Sequence, residues 1–124
     1  PNIEALSLEE IEHSWQTAGL SAVSIAQAVI KPMLKQQRGT LIFLGAPSNH
    51  STHYDVLSQS MFASIRALSQ SLAREFQPKG IHVAYCMIEK WEGQNQHFTS
   101  SLKQVCQHIY QQPNSAWSQE LSLS

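Results

Sequence analysis

The side chains with the greatest chemical potential lie in one short polar segment, residues 46 to 55. This segment, APSNHSTHYD, contains Ser48, His50, His53 and Tyr54, and Ser58 follows it. The two histidines could supply part of a metal site, Tyr54 a phenol, and Ser58 a nucleophile with a histidine as its base. The histidine spacing is not a specific ligand signature, and no G-x-S-x-G elbow surrounds Ser58. We therefore interpret the segment as a solvated loop, predict no metal site, and keep these five residues as pocket candidates.

Alternating helix and strand patterns surround this loop and would position it. The first helix has a capping-box pattern, Ser7 with Glu10, and apolar residues recur at helical spacing to Val29. Pro32 lies inside that pattern and is expected to kink the last turn or to begin a new one. The remaining predicted elements are, in order, strand Thr40–Leu44, helix Val56–Phe76, strand Ile81–Ile88, helix Thr99–Gln111 and strand Glu120–Leu123.

This α-β-α-β-α-β order predicts a single α/β domain over residues 1 to 124. We expect a partial Rossmann-like, three-layer fold, in which a small, mostly parallel sheet of about three strands has helices on both faces. The connections between parallel strands are expected to be right-handed. The polar loop would then follow the carboxyl end of the first strand, where open α/β sheets usually bind ligands.

Composition excludes several classes of function. The net charge of -1 gives no electrostatic case for binding nucleic acid or an anionic membrane. The N-terminal residues have no signal-peptide pattern, and the sequence has no continuous apolar run of about 18 residues. Two cysteines, Cys86 and Cys106, are too few for a disulfide framework and are interpreted as buried free thiols. We therefore expect a cytoplasmic protein that neither spans a membrane nor binds nucleic acid.

Four segments, in order along the chain, are SLEEIEHSWQ, RGTLIFLGA, LSQSLAREFQPKGIHVAYCMI and QQPNSAWSQELSL. Together these segments resemble short-chain dehydrogenases/reductases. The resemblance implies the C-terminal half of such a protein, without the N-terminal half that binds the cofactor. The sequence contains neither G-x-x-x-G-x-G nor G-x-G-x-x-G, the turns that cradle a dinucleotide pyrophosphate. No cofactor is therefore predicted.

The resemblance also locates the catalytic positions of the family, and none of them keeps its residue. The asparagine position aligns with Ala18, the serine with Gly45 or Ala46, the tyrosine with Ser58 and the lysine with Phe62. A serine hydroxyl is a very poor acid or base near neutral pH, and phenylalanine carries no charge. We therefore expect a non-catalytic protein.

The same resemblance implies association through the helices Ser7–Gln36 and Val56–Phe76. Without the missing half, strand Thr40–Leu44 would also be an open edge, which invites pairing. We predict a homodimer or higher homo-oligomer, with a complete family member as another possible partner. The interface candidates are Trp15, Ala22, Leu57, Met61, Ile65 and Leu68. Two alternatives remain open: a binder or enzyme with a new site at the Ser48–Ser58 loop or a subunit interface, and a folded gene fragment without a selected function.

Overall fold

The computed structural model describes residues 3–46, 56–90 and 95–123. The helices are α1 (Leu8–Ser14), α2 (Ser21–Gln36), α3 (Val56–Phe76) and α4 (Gln96–Gln111). The strands are β1 (Gly39–Gly45), β2 (Ile81–Ile88) and β3 (Glu120–Leu123). Short 3-10 turns lie at Ile3–Ala5, Gln77–Lys79 and Asn114–Ala116. The predicted α/β class and the alternating order of elements are confirmed.

Local side chains explain where the helices begin and end. The Ser7 hydroxyl accepts a hydrogen bond from the backbone N–H of Glu10 at 3.1 Å, which caps α1 as predicted. α4 begins at Gln96, three residues before the predicted start, because the Asn95 side chain accepts a hydrogen bond from the N–H of His97 at 2.8 Å. α2 continues through Pro32 to Gln36.

A π-helical segment, Trp15–Leu20, joins α1 to α2, so that residues 8 to 36 form one continuous helix. Sequence periodicity did not predict this wider turn. Gly19 is buried inside it, and a Cβ atom at Gly19 would lie 2.6 Å from the Trp15 ring. The absence of a side chain at Gly19 therefore lets the indole pack against the helix backbone.

The three strands form one parallel sheet in the order β1-β2-β3. The odd-numbered residues of β1 and β2 face α2 and α3 and form the main core with them. That cluster consists of Ala26, Ile30, Phe43, Ala73, Phe76, Ile81, Val83 and Tyr85.

The even-numbered residues of β2 face α4 and the segment that follows it. The His82 ring stacks on Trp117, and the Cys86 thiol interacts electrostatically with that of Cys106. Both cysteines are free; Cys86 is buried as predicted, whereas Cys106 is only partly buried. The sheet therefore has helices on both faces, as expected.

The placement of α3 and α4 corrects the expectation about handedness. The chain steps from β1 to β2 and from β2 to β3 in the same direction across the sheet, but the two connecting helices lie on opposite faces. Two parallel crossovers with that geometry must have opposite hands. The right-handed rule therefore holds for only one of the two connections.

The helix Leu8–Gln36 is long and apolar enough to cross a membrane by length and composition. This is weak evidence for a membrane span, because core helices and signal sequences can meet the same criterion. The expectation of no membrane association stays a prediction.

Candidate functional site

The carboxyl end of β1, where the sequence placed the family's serine, is filled by an aromatic side chain from β2. Gly45 and Ala46 are buried there. A side chain on Gly45 would overlap the Tyr85 hydroxyl oxygen, and the Tyr85 ring carbon Cζ lies 2.6 Å from the same position. The Tyr85 hydroxyl points toward the Ala46 carbonyl oxygen at 3.5 Å. Tyr85 therefore occupies the space that a serine side chain would need.

Tyr85 is held as a neutral, inaccessible phenol. Its side chain is 1% exposed. Burial raises the pKa of Tyr85 to about 12, and the nearby Arg66 guanidinium opposes that rise. Arg66 is itself engaged with Glu120, to which it donates hydrogen bonds of 2.5 and 3.0 Å from Nε and Nη2. A buried phenol of this kind can pack but cannot exchange protons with a substrate near neutral pH.

The three residues that the sequence aligned with the family's asparagine, tyrosine and lysine lie together in a cleft between the N-terminal helix and α3. Ala18, Ser58 and Phe62 all line a cavity of about 250 Å³. The remaining lining residues are His13, Ser14, Thr17, Leu57, Met61 and Ile65. Residues from two distant segments of the chain therefore meet in this cleft.

The chemistry of this cleft is restricted to packing and a few neutral polar groups. Among the described lining residues, His13 is the one with an ionisable side chain, and none is Asp, Glu, Lys or Arg. Ser14, Thr17 and Ser58 contribute hydroxyls, and the remaining lining residues apart from His13 are apolar. The described residues contain no group of three or more His, Cys, Asp and Glu side chains that could hold a metal ion.

The sequence-predicted pocket candidates have different outcomes. Ser48, His50, His53 and Tyr54 lie outside the described residues. Ser58 lies on α3, in the cleft. Its place among the pocket candidates stays a prediction.

The interface candidates differ in how much of each side chain is accessible. Trp15 is 41% exposed, whereas Met61 is 5% exposed and therefore already packed within the chain. Leu57 is partly buried in the cleft, and three further candidates pack against the main core. Those three are Ala22, Ile65 and Leu68. Their participation in an interface stays a prediction.

Sequence reasoning missed the role of Tyr85. The strand pattern placed it on β2, but nothing in the pattern indicated that its hydroxyl would reach the end of β1. The combination of two residues carried the signal. Gly45 has no side chain, and Tyr85 lies on β2 two residues before Met87, the residue that pairs with Gly45. A large residue beside a small one fills the same volume as two medium ones.

Comparison with solved structures identifies the architecture. A short-chain dehydrogenase from Rhodopseudomonas palustris is 26% identical, with a TM-score of 0.86 over 100% of this chain and 56% of that one. An oxidoreductase of the short-chain dehydrogenase/reductase type from Brucella ovis is 16% identical, with a TM-score of 0.82 over 99% and 59% of the two chains. A 3-oxoacyl-[acyl-carrier protein] reductase from Brucella melitensis is 11% identical, with a TM-score of 0.85 over 99% and 55%.

No protein-family model matches the sequence, and no curated protein is significantly similar to it. The chain spans a little over half the length of the solved structures it matches. The resemblance predicted from the sequence is confirmed: this chain has the fold of a part of a short-chain dehydrogenase/reductase.

Proposed function

We propose that this chain, with the fold of a part of a short-chain dehydrogenase/reductase, performs no dehydrogenase chemistry with its own residues and acts by pairing with a second copy of itself. The observation that carries the proposal is the outer edge of β1. β1 pairs with β2 on one side, and no strand among the described residues pairs with its other side. An unpaired edge presents a row of backbone donors and acceptors that another strand can bind.

The hydrogen-bond pattern identifies which residues form that edge. Tyr85 donates its backbone N–H to Gln119 at 2.9 Å, on the β3 side of β2. The backbone N–H and C=O groups of successive residues in a strand point to opposite sides. The even-numbered residues of β2 therefore form hydrogen bonds with β1, and their partners are the odd-numbered residues of β1. The N–H and C=O groups of Thr40, Ile42 and Leu44 therefore point away from the sheet.

The same residues also leave apolar surface uncovered. Ile42 and Leu44 are only partly buried, on the face of the sheet where α4 lies, and α4 contacts β3 at the opposite edge. A second copy would cover both the polar edge and this apolar surface. Two identical strands related by a two-fold axis pair antiparallel, so that two sheets would join into one continuous sheet.

The non-catalytic part of the proposal rests on the side chains at the family positions. Phe62 supplies no cation, Gly45 no hydroxyl, and Tyr85 occupies the space beside Gly45. Binding of NADH or NADPH to this chain with micromolar affinity would contradict this part of the proposal, and calorimetric titration with each dinucleotide measures it directly.

Light scattering over a concentration series, from about 1 to about 100 µM, tests the pairing. We expect a concentration-dependent dimer in the wild-type protein. The variant Ile42→Pro removes an outward N–H without removing a hydrogen bond inside the sheet, and it should weaken dimerisation by about tenfold or more. The matched variant Ile42→Ala keeps the N–H and should weaken dimerisation less. A wild-type monomer throughout the series would refute the pairing.

Hydrogen exchange provides a second measurement that needs no substitution. The N–H groups of Ile42 and Leu44 should be protected at dimer concentrations and should exchange rapidly after dilution. If dimerisation instead responds to Trp15→Ser and not to Ile42→Pro, the helical surface predicted from the sequence forms the interface and the strand-edge proposal is wrong.

A further inference from the structure

A second cavity, of about 610 Å³, lies at the amino end of the sheet, opposite the cleft that contains the family positions. The end of α2, the first residues of β1, Gly80 before β2, and the segment after α4 line it. Its volume falls within the range of about 300–1,000 Å³ that small-molecule sites occupy. From this cavity we infer that the chain binds a small planar aromatic carboxylate at the amino end of its sheet.

The first argument is that one wall is rigid and aromatic. The Trp117 ring stacks on the buried His82 ring, with centroids 4.8 Å apart and planes within 5° of each other. The indole Nε1–H donates to the Gln112 carbonyl oxygen at 3.0 Å. The Gln112 side chain in turn donates to the Ser118 hydroxyl at 3.0 Å and accepts from the Ser118 N–H at 2.9 Å. A fixed indole is a preorganised surface for an aromatic ring.

The second argument is the polar complement of the cavity. Among the described residues that line the cavity, Arg38 is the one charged residue, and none is Asp or Glu. Arg38 makes no ion pair within the described part of the chain. The Arg66–Glu120 ion pair does not involve the cavity. A guanidinium without a partner suits a carboxylate, with which it can form two parallel hydrogen bonds.

The third argument is the backbone conformation that holds Arg38 there. Gln37 adopts a left-handed conformation with φ of 55°, the one non-glycine residue with positive φ among those described. A side chain on Gly80 would overlap the Gln37 carbonyl oxygen, so Gly80 is needed for this turn to pack against the start of β2. This conformation is a common helix C-cap, in which the N–H groups of Gln37 and Arg38 donate to the carbonyl oxygens of Leu34 and Met33, and the cap fixes the backbone at Arg38.

Tyr110 completes the aromatic lining. It lies at the end of α4 and is 70% exposed, so its ring is accessible to a ligand in the cavity. A planar ligand between Tyr110 and Trp117, with its carboxylate toward Arg38, would use all three distinctive groups of the cavity.

Titration of the full chain with 2-naphthoate, followed by the indole Nε1–H resonances in NMR spectra, tests this inference. We expect a shift of the Trp117 resonance, identified by its loss in Trp117→Phe, with a Kd below about 1 mM. Arg38→Gln should raise that Kd by about tenfold, whereas Arg74→Gln, on the exposed side of α3, should leave it unchanged. Tyr110→Ser should also weaken binding.

Two related probes separate the contributions of charge and ring. The neutral 2-naphthamide should bind at least about tenfold more weakly than 2-naphthoate, and so should the non-planar cyclohexanecarboxylate. Equal binding of the naphthamide, an unchanged Kd in Arg38→Gln, or no shift of the Trp117 resonance at about 5 mM 2-naphthoate would overturn the inference.

Discussion

At the carboxyl end of β1 a tyrosine fills the space beside a glycine, whereas at the amino end, about 20 Å away, an arginine and two aromatic residues surround an open cavity. The carboxyl end is where parallel α/β sheets usually bind ligands. Here the described lining residues are largely apolar, and the phenol of Tyr85 is buried. The amino end instead has an arginine without an ion-pair partner among the described residues, the exposed ring of Tyr110 and the partly buried ring of Trp117.

The difference indicates that packing and binding make separate demands on the two ends. Tyr85 at the carboxyl end contributes to the main core, so a change there alters the stability of the whole sheet. Arg38 at the amino end is exposed and forms no ion pair within the described residues. A substitution there should alter ligand binding and leave the stability of the fold unchanged. The following predictions test that separation, from the largest expected effect to the smallest.

A serine at Gly45, one of the two positions that the sequence aligned with the family's serine, should be strongly destabilising. In Gly45→Ser the new side chain would overlap the Tyr85 hydroxyl, and the Tyr85 ring is buried and must displace other core side chains to move aside. Overpacking of this kind should lower the free energy of unfolding by about 3 kcal/mol. Urea denaturation of the wild-type and variant proteins measures the difference.

A double mutant identifies the cause of this loss. Tyr85→Phe removes the atom nearest to the new side chain, so Gly45→Ser should cost less in the Tyr85→Phe background than in the wild type. Additive effects of the two substitutions would show that the two residues do not compete for the same space, and the proposed division between the ends would lose its structural basis.

The sequence predicted the helices and strands at the carboxyl end of the sheet better than it predicted the position of the Tyr85 side chain there. Helical and strand periodicities placed α3 and β2 with their observed bounds, because both elements bury continuous apolar faces. The similarity to a family aligned Ala18, Ser58 and Phe62 with catalytic positions, and the structure brings these three residues to one cleft. The position of the Tyr85 hydroxyl depends on side-chain packing between neighbouring strands, which no periodicity within a single segment encodes.

Alkaline pH should reveal the buried tyrosine. The pKa of Tyr85 is raised to about 12 in the folded chain, mainly by burial, whereas an unfolded tyrosine ionises near pH 10. Between these values the unfolded state binds fewer protons than the folded state, so stability is fully present below about pH 10 and is lost as pH rises toward 12. The slope from this one group should reach about 1.4 kcal/mol per pH unit.

Two tyrosine variants separate this contribution from others of the same sign. Burial also raises the pKa of the Cys86 and Cys106 thiols, so part of the alkaline loss should persist without Tyr85. Tyr85→Phe should reduce the slope above pH 10, whereas Tyr110→Phe, which alters an exposed tyrosine, should not. The readout is the urea midpoint measured across that pH range.

The amino-end cavity was not predicted from the sequence at all. Its lining residues come from separate segments, and each reads as ordinary polar surface or as a helix end when taken alone. The left-handed turn at Gln37 was hidden because its residue type gives no signal for positive φ. Only the folded chain brings Arg38 beside Trp117 and Tyr110.

Removing the Arg38 charge should be nearly neutral for stability, and this makes it the sharpest contrast with Gly45→Ser. Arg38 is exposed and forms no ion pair within the described residues, so Arg38→Gln should change the free energy of unfolding by less than about 0.5 kcal/mol. The same urea denaturation measures it, beside Arg74→Gln as a second exposed arginine. A loss of more than about 1 kcal/mol would mean that Arg38 stabilises the α2–β1 turn itself. Residues at both ends of the sheet would then stabilise the fold, and the two ends would differ only in how accessible those residues are.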